Sequence, residues 1–139
     1  MNRVLFVALF AGVGALLLSA SAWAHHGDAG RYIEEPVDIT GTVVEMQLVN
    51  PHAVLVLDVT DANGKTVRWQ AEMGSVQQLT KLGFAGIVKI GANVTLTGRR
   101  LKSGAPYMNL TQHARVILAD SGKVVLQSPN YEQPAPTAR

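Results

Sequence analysis

Between Val37 and Leu48 the chain spells one long strand that cannot stay flat. Val37, Ile39, Gly41 and Val43 alternate with Asp38, Thr40 and Thr42, the two-residue period of a strand with one buried face. At Val44 the phase flips, and Met46 and Leu48 carry the apolar face onward. A change of phase inside a strand marks a bulge or a sharp coil. A long strand bent in this way can serve both sheets of a small barrel.

The rest of the chain supplies partners for it. Asn50-Pro51 is a turn signal, because proline fixes φ and has no N–H for a ladder. Val54 to Thr60 is nearly all apolar and reads as a central strand; Asp61-Ala62-Asn63-Gly64 is a hairpin loop. Thr66 to Glu72 alternates cleanly, with Val67, Trp69 and Ala71 on one face and Arg68, Gln70 and Glu72 on the other. Helical spacing follows once, at Val76, Leu79 and Leu82, behind a Ser75/Gln78 capping box and before a Gly83-Phe84 stop. A helix of about eight residues is expected there. Ala92 to Arg100 is a fourth strand with Val94, Leu96 and Gly98 inward, Met108 to Leu118 a fifth, and Val124 to Leu126 a short sixth. Three strands, one short helix and two more strands is the order of an OB-fold, a five-stranded, partly open barrel. The expected fold is therefore mainly β: a small OB-fold-like antiparallel barrel of five to six strands, with one short helix between strands three and four. A split β-sandwich with a decorative helix is the alternative.

The first 24 residues read as a cleaved secretory signal. Arg3 is followed by an apolar run from Val4 to Leu18, and Ala22-Trp23-Ala24 is a small-x-small cleavage pattern. The run is shorter than the roughly 20 apolar residues of a membrane span. No membrane insertion is expected after cleavage, and the product is expected to be periplasmic or secreted. The mature chain then divides into an arm over residues 25–36, the barrel over 37–127 and a flexible tail over 128–139, which carries Pro129, Pro134 and Pro136. The formal charge of the whole chain is only +2, and losing Arg3 lowers it further. A nearly neutral chain has no electrostatic footprint for nucleic acid, and none is expected as a partner. With no cysteine there is no disulfide, thiolate metal site or thiol nucleophile.

Several segments together resemble the domain-of-unknown-function family 6152 of small secreted bacterial proteins. They are Ala24-His25-His26, Thr40-Gly41-Thr42-Val43, Val49-Asn50-Pro51-His52-Ala53, Asp61 to Lys65, Gly74-Ser75, Leu82-Gly83-Phe84 and Gly91 to Gly98. The resemblance spans roughly residues 24 to 118, and its specific part is the Asn-Pro-His corner combined with the His-His mature start. Gly27 and Asp28 depart from the Ser and aromatic that members commonly carry after His-His, and Leu48 and Val54 stand where they tend to have tryptophan. The resemblance implies compartment and architecture; it implies no reaction.

Chemistry is concentrated in the histidines. Cleavage after Ala24 gives His25 a free α-amine beside its own imidazole, and those two nitrogens can close a chelate ring on one metal ion. His26 adds a third nitrogen. Such a nitrogen-rich set suits Cu(II), which heads the divalent affinity order; the alternative is two solvated histidines at a chain start. His52 follows the proline turn, as a further ligand or as a ring that holds the turn by bonding a backbone carbonyl. His113 reads as a solvated or sheet-pairing residue, Trp69 as core, and Met46, Met73 and Met108 as core filling. Arg99, Arg100 and Lys102 with Arg68 and Gln70 are candidates for a shallow polar face that takes an anionic ligand, and Asn50 is a ligand-binding candidate on the corner loop.

No nucleophile elbow or other catalytic motif surrounds Ser75 or the scattered carboxylates, so no enzyme is expected. The function read from these residues is a periplasmic OB-like binding module that takes copper or another divalent metal through His25, His26 and His52. The alternative is a metal-free barrel that binds a periplasmic protein or an oligosaccharide.

Overall fold

A computed structural model describes residues 30–131 of the chain. The segment that reads as a secretory signal, and residues 132–139 of the tail, lie outside the described residues. The chain divides into a unit ending at Arg31 and a second beginning at Tyr32, and the barrel belongs wholly to the second. Its strands are β1 (Val37–Gln47), β2 (Val54–Thr60), β3 (Thr66–Glu72), β4 (Asn93–Arg100), β5 (Tyr107–Asn109), β6 (Arg115–Leu118) and β7 (Val124–Gln127). The first five close a ring in the order β1-β2-β3-β5-β4, with β4 pairing back onto β1. β6 pairs with β4 and β7 with β6. This is the small, mainly β barrel expected from the sequence.

Closure depends on the bend in β1. Its first half, Val37 to Thr42, pairs with β4, and its second half, Thr42 to Gln47, pairs with β2. The register slips between Val43 and Glu45, so Val44 is the extra residue of a bulge where the sequence changes phase. Val43, just before the bulge, is fully buried, and its backbone bonds the approach to β4 at Gly91 and Ala92.

Inside the ring lie Leu55 and Leu57 of β2, Ala71 of β3, Val94 and Leu96 of β4, and Met108 of β5, with Val116 of β6 packed into the same core. Burying one such aliphatic side chain stabilises the fold by about 1.5–3 kcal/mol. Trp69 and Met73 are buried as well.

The connector between β3 and β4 holds two short helices where the spacing predicts one. They are α1 (Val76–Lys81) and α2 (Phe84–Ile87). Ser75 caps α1 by accepting a bond from the backbone N–H of Gln78 at 3.3 Å. Gly83, at φ 62°, turns the chain out of α1 through the left-handed region that glycine enters without strain. The residues after it resume as a single turn, so Gly83 divides two helices instead of ending one. Leu79, Phe84 and Val88 of this connector join the strand core.

Three further expectations are corrected. The alternation from Met108 to Leu118 predicts one continuous strand, but it is interrupted into β5 and β6. The side chain of Asn109 accepts bonds from the backbone N–H and hydroxyl of Thr111, and His113 takes φ 48°. These local features turn the chain out of the β4 ladder before it rejoins at Arg115. His113 is buried, not solvated. The ring is also not wholly antiparallel: β5 runs parallel to β3, with Gln70 opposite Tyr107 and Glu72 opposite Asn109.

Both flanks of the ring are fastened. Tyr32 bridges Leu101, and the N–H of Ile33 donates to the carbonyl of Arg100 at 2.8 Å. The first residues after β7 are bonded back to the barrel. Ser128 bonds Ala114 through both its backbone N–H and its hydroxyl oxygen, and Asn130 accepts from the backbone N–H of His113. Tyr131 lies under the guanidinium of Arg115, 4.4 Å from its ring centre.

Gly98 is needed where β4 lies against β5. A Cβ there would sit 2.7 Å from the carbonyl oxygen of Asn109 and 2.7 Å from a methyl of Leu110. Overpacking of this kind costs about 1–3 kcal/mol. Gly98→Ala is therefore expected to lower the melting temperature by roughly 4 °C or more, measured by thermal denaturation. An unchanged midpoint would show that β4 and β5 do not approach this closely.

Candidate functional site

The corner between β1 and β2 is the loop that, with the outer face of strands two and three, forms the usual ligand surface of OB barrels. Here it runs through exposed Leu48, Val49 and Asn50 and a cis Asn50–Pro51 peptide to His52. Ala53 then extends the β2–β3 ladder by bonding Gly74 and Met73. The Asp61 carboxylate fixes the β2–β3 hairpin by accepting from the N–H groups of Asn63 and Lys65 at 2.9 Å each, and the ladder sets Val54 opposite Glu72. His52, two residues before Val54, therefore comes to the face that carries Glu72.

Nδ1 of His52 is hydrogen-bonded to Oε1 of Glu72, and the hydroxyl of Tyr107 donates to Oε2 of the same carboxylate. Tyr107 reaches it because the parallel β3–β5 seam places Tyr107 beside Glu72 on the same outer face. The His52 side chain is 51% exposed and that of Glu72 19% exposed. Where the carboxylate is ionised it only accepts, so Nδ1 is the donor of this pair, and Nε2 holds a lone pair when the ring is neutral. His52 does not hold the turn through a backbone carbonyl; it is itself held by a carboxylate. Sequence reading misses Glu72 and Tyr107 as its partners. The outward phase of Glu72 is legible, but the parallel seam that delivers Tyr107 is not.

The polar residues singled out from the sequence do not gather into one face. Arg68 and Gln70 share the outer face of β3, and Asn50 is exposed in the corner loop. Arg68 is already engaged, its Nε and Nη2 donating to the two carboxylate oxygens of Asp58 at 2.9 and 3.1 Å. Arg99 reaches from β4 toward Gln112 and Glu34, and its guanidinium carbon lies 5.5 Å from the ring centre of Tyr32. Arg100 turns the other way and stacks on Trp69 at 4.9 Å. His25 and His26 lie outside the described residues. Among the described residues, no group of three or more His, Asp or Glu side chains is placed to hold a metal ion. The nitrogen donor that the corner offers is His52 alone.

Beside the corner, Leu48 lines an apolar groove of about 220 Å³ together with Leu79, Phe84 and Ala85 of the helical connector. Leu82 and Val49 are also exposed.

The Arg68 pair has a pH signature. The hydrogen bond from Arg68, opposed by desolvation and reinforced by the guanidinium charge, holds the Asp58 carboxyl below its ordinary pKa of 3.8. A carboxyl with a lowered folded-state pKa contributes stability that is present above the unfolded value and lost as pH falls through the folded one. The urea midpoint of the wild type is expected to exceed that of Asp58→Asn near neutral pH. The difference should shrink below about pH 4 and in high salt. A difference independent of pH would remove the pair as its cause.

No functionally curated protein and no solved structure matches the chain. The model of the Family of unknown function (DUF6152) matches residues 14–108, a stretch that takes in the corner, Glu72 and Tyr107. The chain belongs to that family.

Proposed function

We propose that this is an exported OB-like binding module whose ligand is a divalent metal ion, copper foremost. One observation carries the reading: His52 stands half-exposed on the usual OB ligand surface, with Nδ1 occupied by a carboxylate and Nε2 left to donate. Metal-ligating histidines characteristically donate their second ring N–H to a carboxylate, a carbonyl or water in this way. Cleavage after Ala24 adds a separate nitrogen source, the amine and imidazole of His25 with the imidazole of His26. Amine and imidazole nitrogens favour Cu(II) over the other common divalent ions.

A second reading has its own support. The groove beside Leu48, flanked by exposed Val49 and Leu82, suits a metal-free barrel that takes a protein or oligosaccharide. In that case His25 and His26 are incidental to binding.

Calorimetric titration of Cu(II) into the chain starting at His25 separates the two. Acetylating the α-amine and replacing His25 and His26 by alanine is expected to weaken binding about tenfold or more, which is at least about 1.4 kcal/mol. Equal, weak binding by the altered and unaltered chains would sink the metal reading.

A further inference from the structure

We infer that the helical connector and the neighbouring Leu48-Val49 loop form a docking face for an anionic membrane surface, where apolar side chains enter the headgroup layer and lysines meet lipid phosphates. Docking there is separate from ligand binding at the His52 corner and does not depend on it.

The apolar residues at this end of the barrel are grouped. Leu48 walls the groove from the loop side, and Thr80, Gly83 and Gly86 help to wall it from the connector. Val49, 54% exposed, follows Leu48 in the chain, and exposed Leu82 lies between Thr80 and Gly83. Apolar residues scattered singly over a surface need no explanation, but a group of them rimmed by polar residues marks an interaction site.

The charge around the groove has one sign. Lys81 ends α1, and Lys89 folds back so that its Nζ donates to the carbonyl of Ala85, a groove residue, at 3.0 Å. Ile90, 73% exposed, comes next. No Asp or Glu occurs between Glu72 and Asp120, a stretch that includes the whole connector. Acid on the adjoining strand is turned elsewhere. Glu45 accepts from Gln47 at 2.9 Å on the exposed side of β1 and lies within electrostatic reach of Arg68. Met46, between those two, packs on the core.

These features favour a lipid surface over a folded partner or an enclosed ligand. At about 220 Å³ the groove is smaller than the roughly 300–1,000 Å³ of a pocket that encloses a small molecule. Val49 and Leu82 stand beside it instead of lining it, so the face offers knobs more than a socket. A stable protein interface needs on the order of 1,000 Å² of matched surface. A headgroup layer moulds itself to protruding side chains and needs no matching shape. Exposed apolar groups interleaved with lysines are the composition of segments that lie in the membrane interface. The long lysine stems let the ammonium groups reach phosphate while their methylenes stay among the apolar residues. Such docking is peripheral and needs no membrane-crossing helix; the described residues contain none.

The test uses the chain starting at His25 and vesicles of phosphatidylcholine with and without phosphatidylglycerol, read by co-sedimentation. The chain is expected to bind the anionic vesicles at least about tenfold more tightly than the neutral ones, and to release as salt is raised. Lys81→Ala with Lys89→Ala is expected to weaken binding about 10–30-fold, and Val49→Ser with Leu82→Ser about tenfold. All four residues are exposed, so both double variants should keep the parent's melting temperature. A second measurement leaves the lysines and Leu82 in place. Val49→Trp puts a reporter on the face, and Asn63→Trp puts one on the exposed hairpin at the other end of β2. With brominated lipid in the anionic vesicles, fluorescence is expected to be quenched in the first and not in the second; buried Trp69 is common to both.

Equal binding to neutral and anionic vesicles would overturn the inference. So would binding by both double variants within about twofold of the parent. Equal quenching at the two introduced tryptophans overturns it too, because the chain then meets lipid through no particular face. A parent that ignores vesicles but dimerises in sedimentation equilibrium, and stays monomeric as Val49→Ser with Leu82→Ser, gives the face to a second copy and ends the membrane assignment. Copper binding is judged by calorimetry and is untouched by any of these results.

Discussion

Everything in this barrel depends on β1 bending at Val44. A flat ribbon of this length would lie along one neighbour or the other. The bulge between Val43 and Glu45 redirects the second half of β1 onto β2 while the first half stays on β4. Closing the ring covers edges that would otherwise expose unpaired backbone groups. It also sets β5 against β3 in parallel, a pairing that no hairpin could make and that exists because the ring is complete.

That seam is what brings three scattered polar residues together. His52 arrives from the corner loop, Glu72 from the end of β3 and Tyr107 from the start of β5. The first two are brought together by hairpin register, a local matter. The third is delivered by long-range topology. A carboxylate with both oxygens engaged then orients the histidine ring, so the arrangement at this surface is a consequence of how the barrel shuts.

The same division explains what can be read in advance. Alternation exposes β1, β3 and β4, a nearly unbroken apolar run exposes β2, and the phase flip at Val44 exposes the bulge, because each is written in consecutive residues. The break between β5 and β6 is hidden. Met108 to Leu118 keeps enough alternation to pass for one strand, and the Asn109 side-chain bonds and the left-handed His113 leave no mark in hydrophobic period. Gly83 is recognisable as a helix breaker, but that Phe84 restarts a turn depends on its burial in the core. The histidine at the corner is legible as a candidate. Its acidic partner stands out only as one carboxylate among several, and Tyr107 has no visible link to it, because their contact spans 35 positions of sequence. The basic set fails to converge for a related reason: Arg99 and Arg100 are neighbours in sequence, and neighbours in a strand face opposite ways.

Among the described residues, three planar cations act as clasps. Arg99 lies over Tyr32, Arg100 over Trp69 and Arg115 over Tyr131. The Nε atoms of these same arginines are buried without a hydrogen-bond partner among the described residues. An aromatic face lies over each guanidinium instead, and attraction to the ring's electron-rich face offsets part of the cost of burial. Two of the rings, Tyr32 and Tyr131, belong to the segments that enter and leave the barrel, so both margins of the domain are pinned by stacked planes. Lysine would keep the charge at these positions but lose the plane, and the fastening with it.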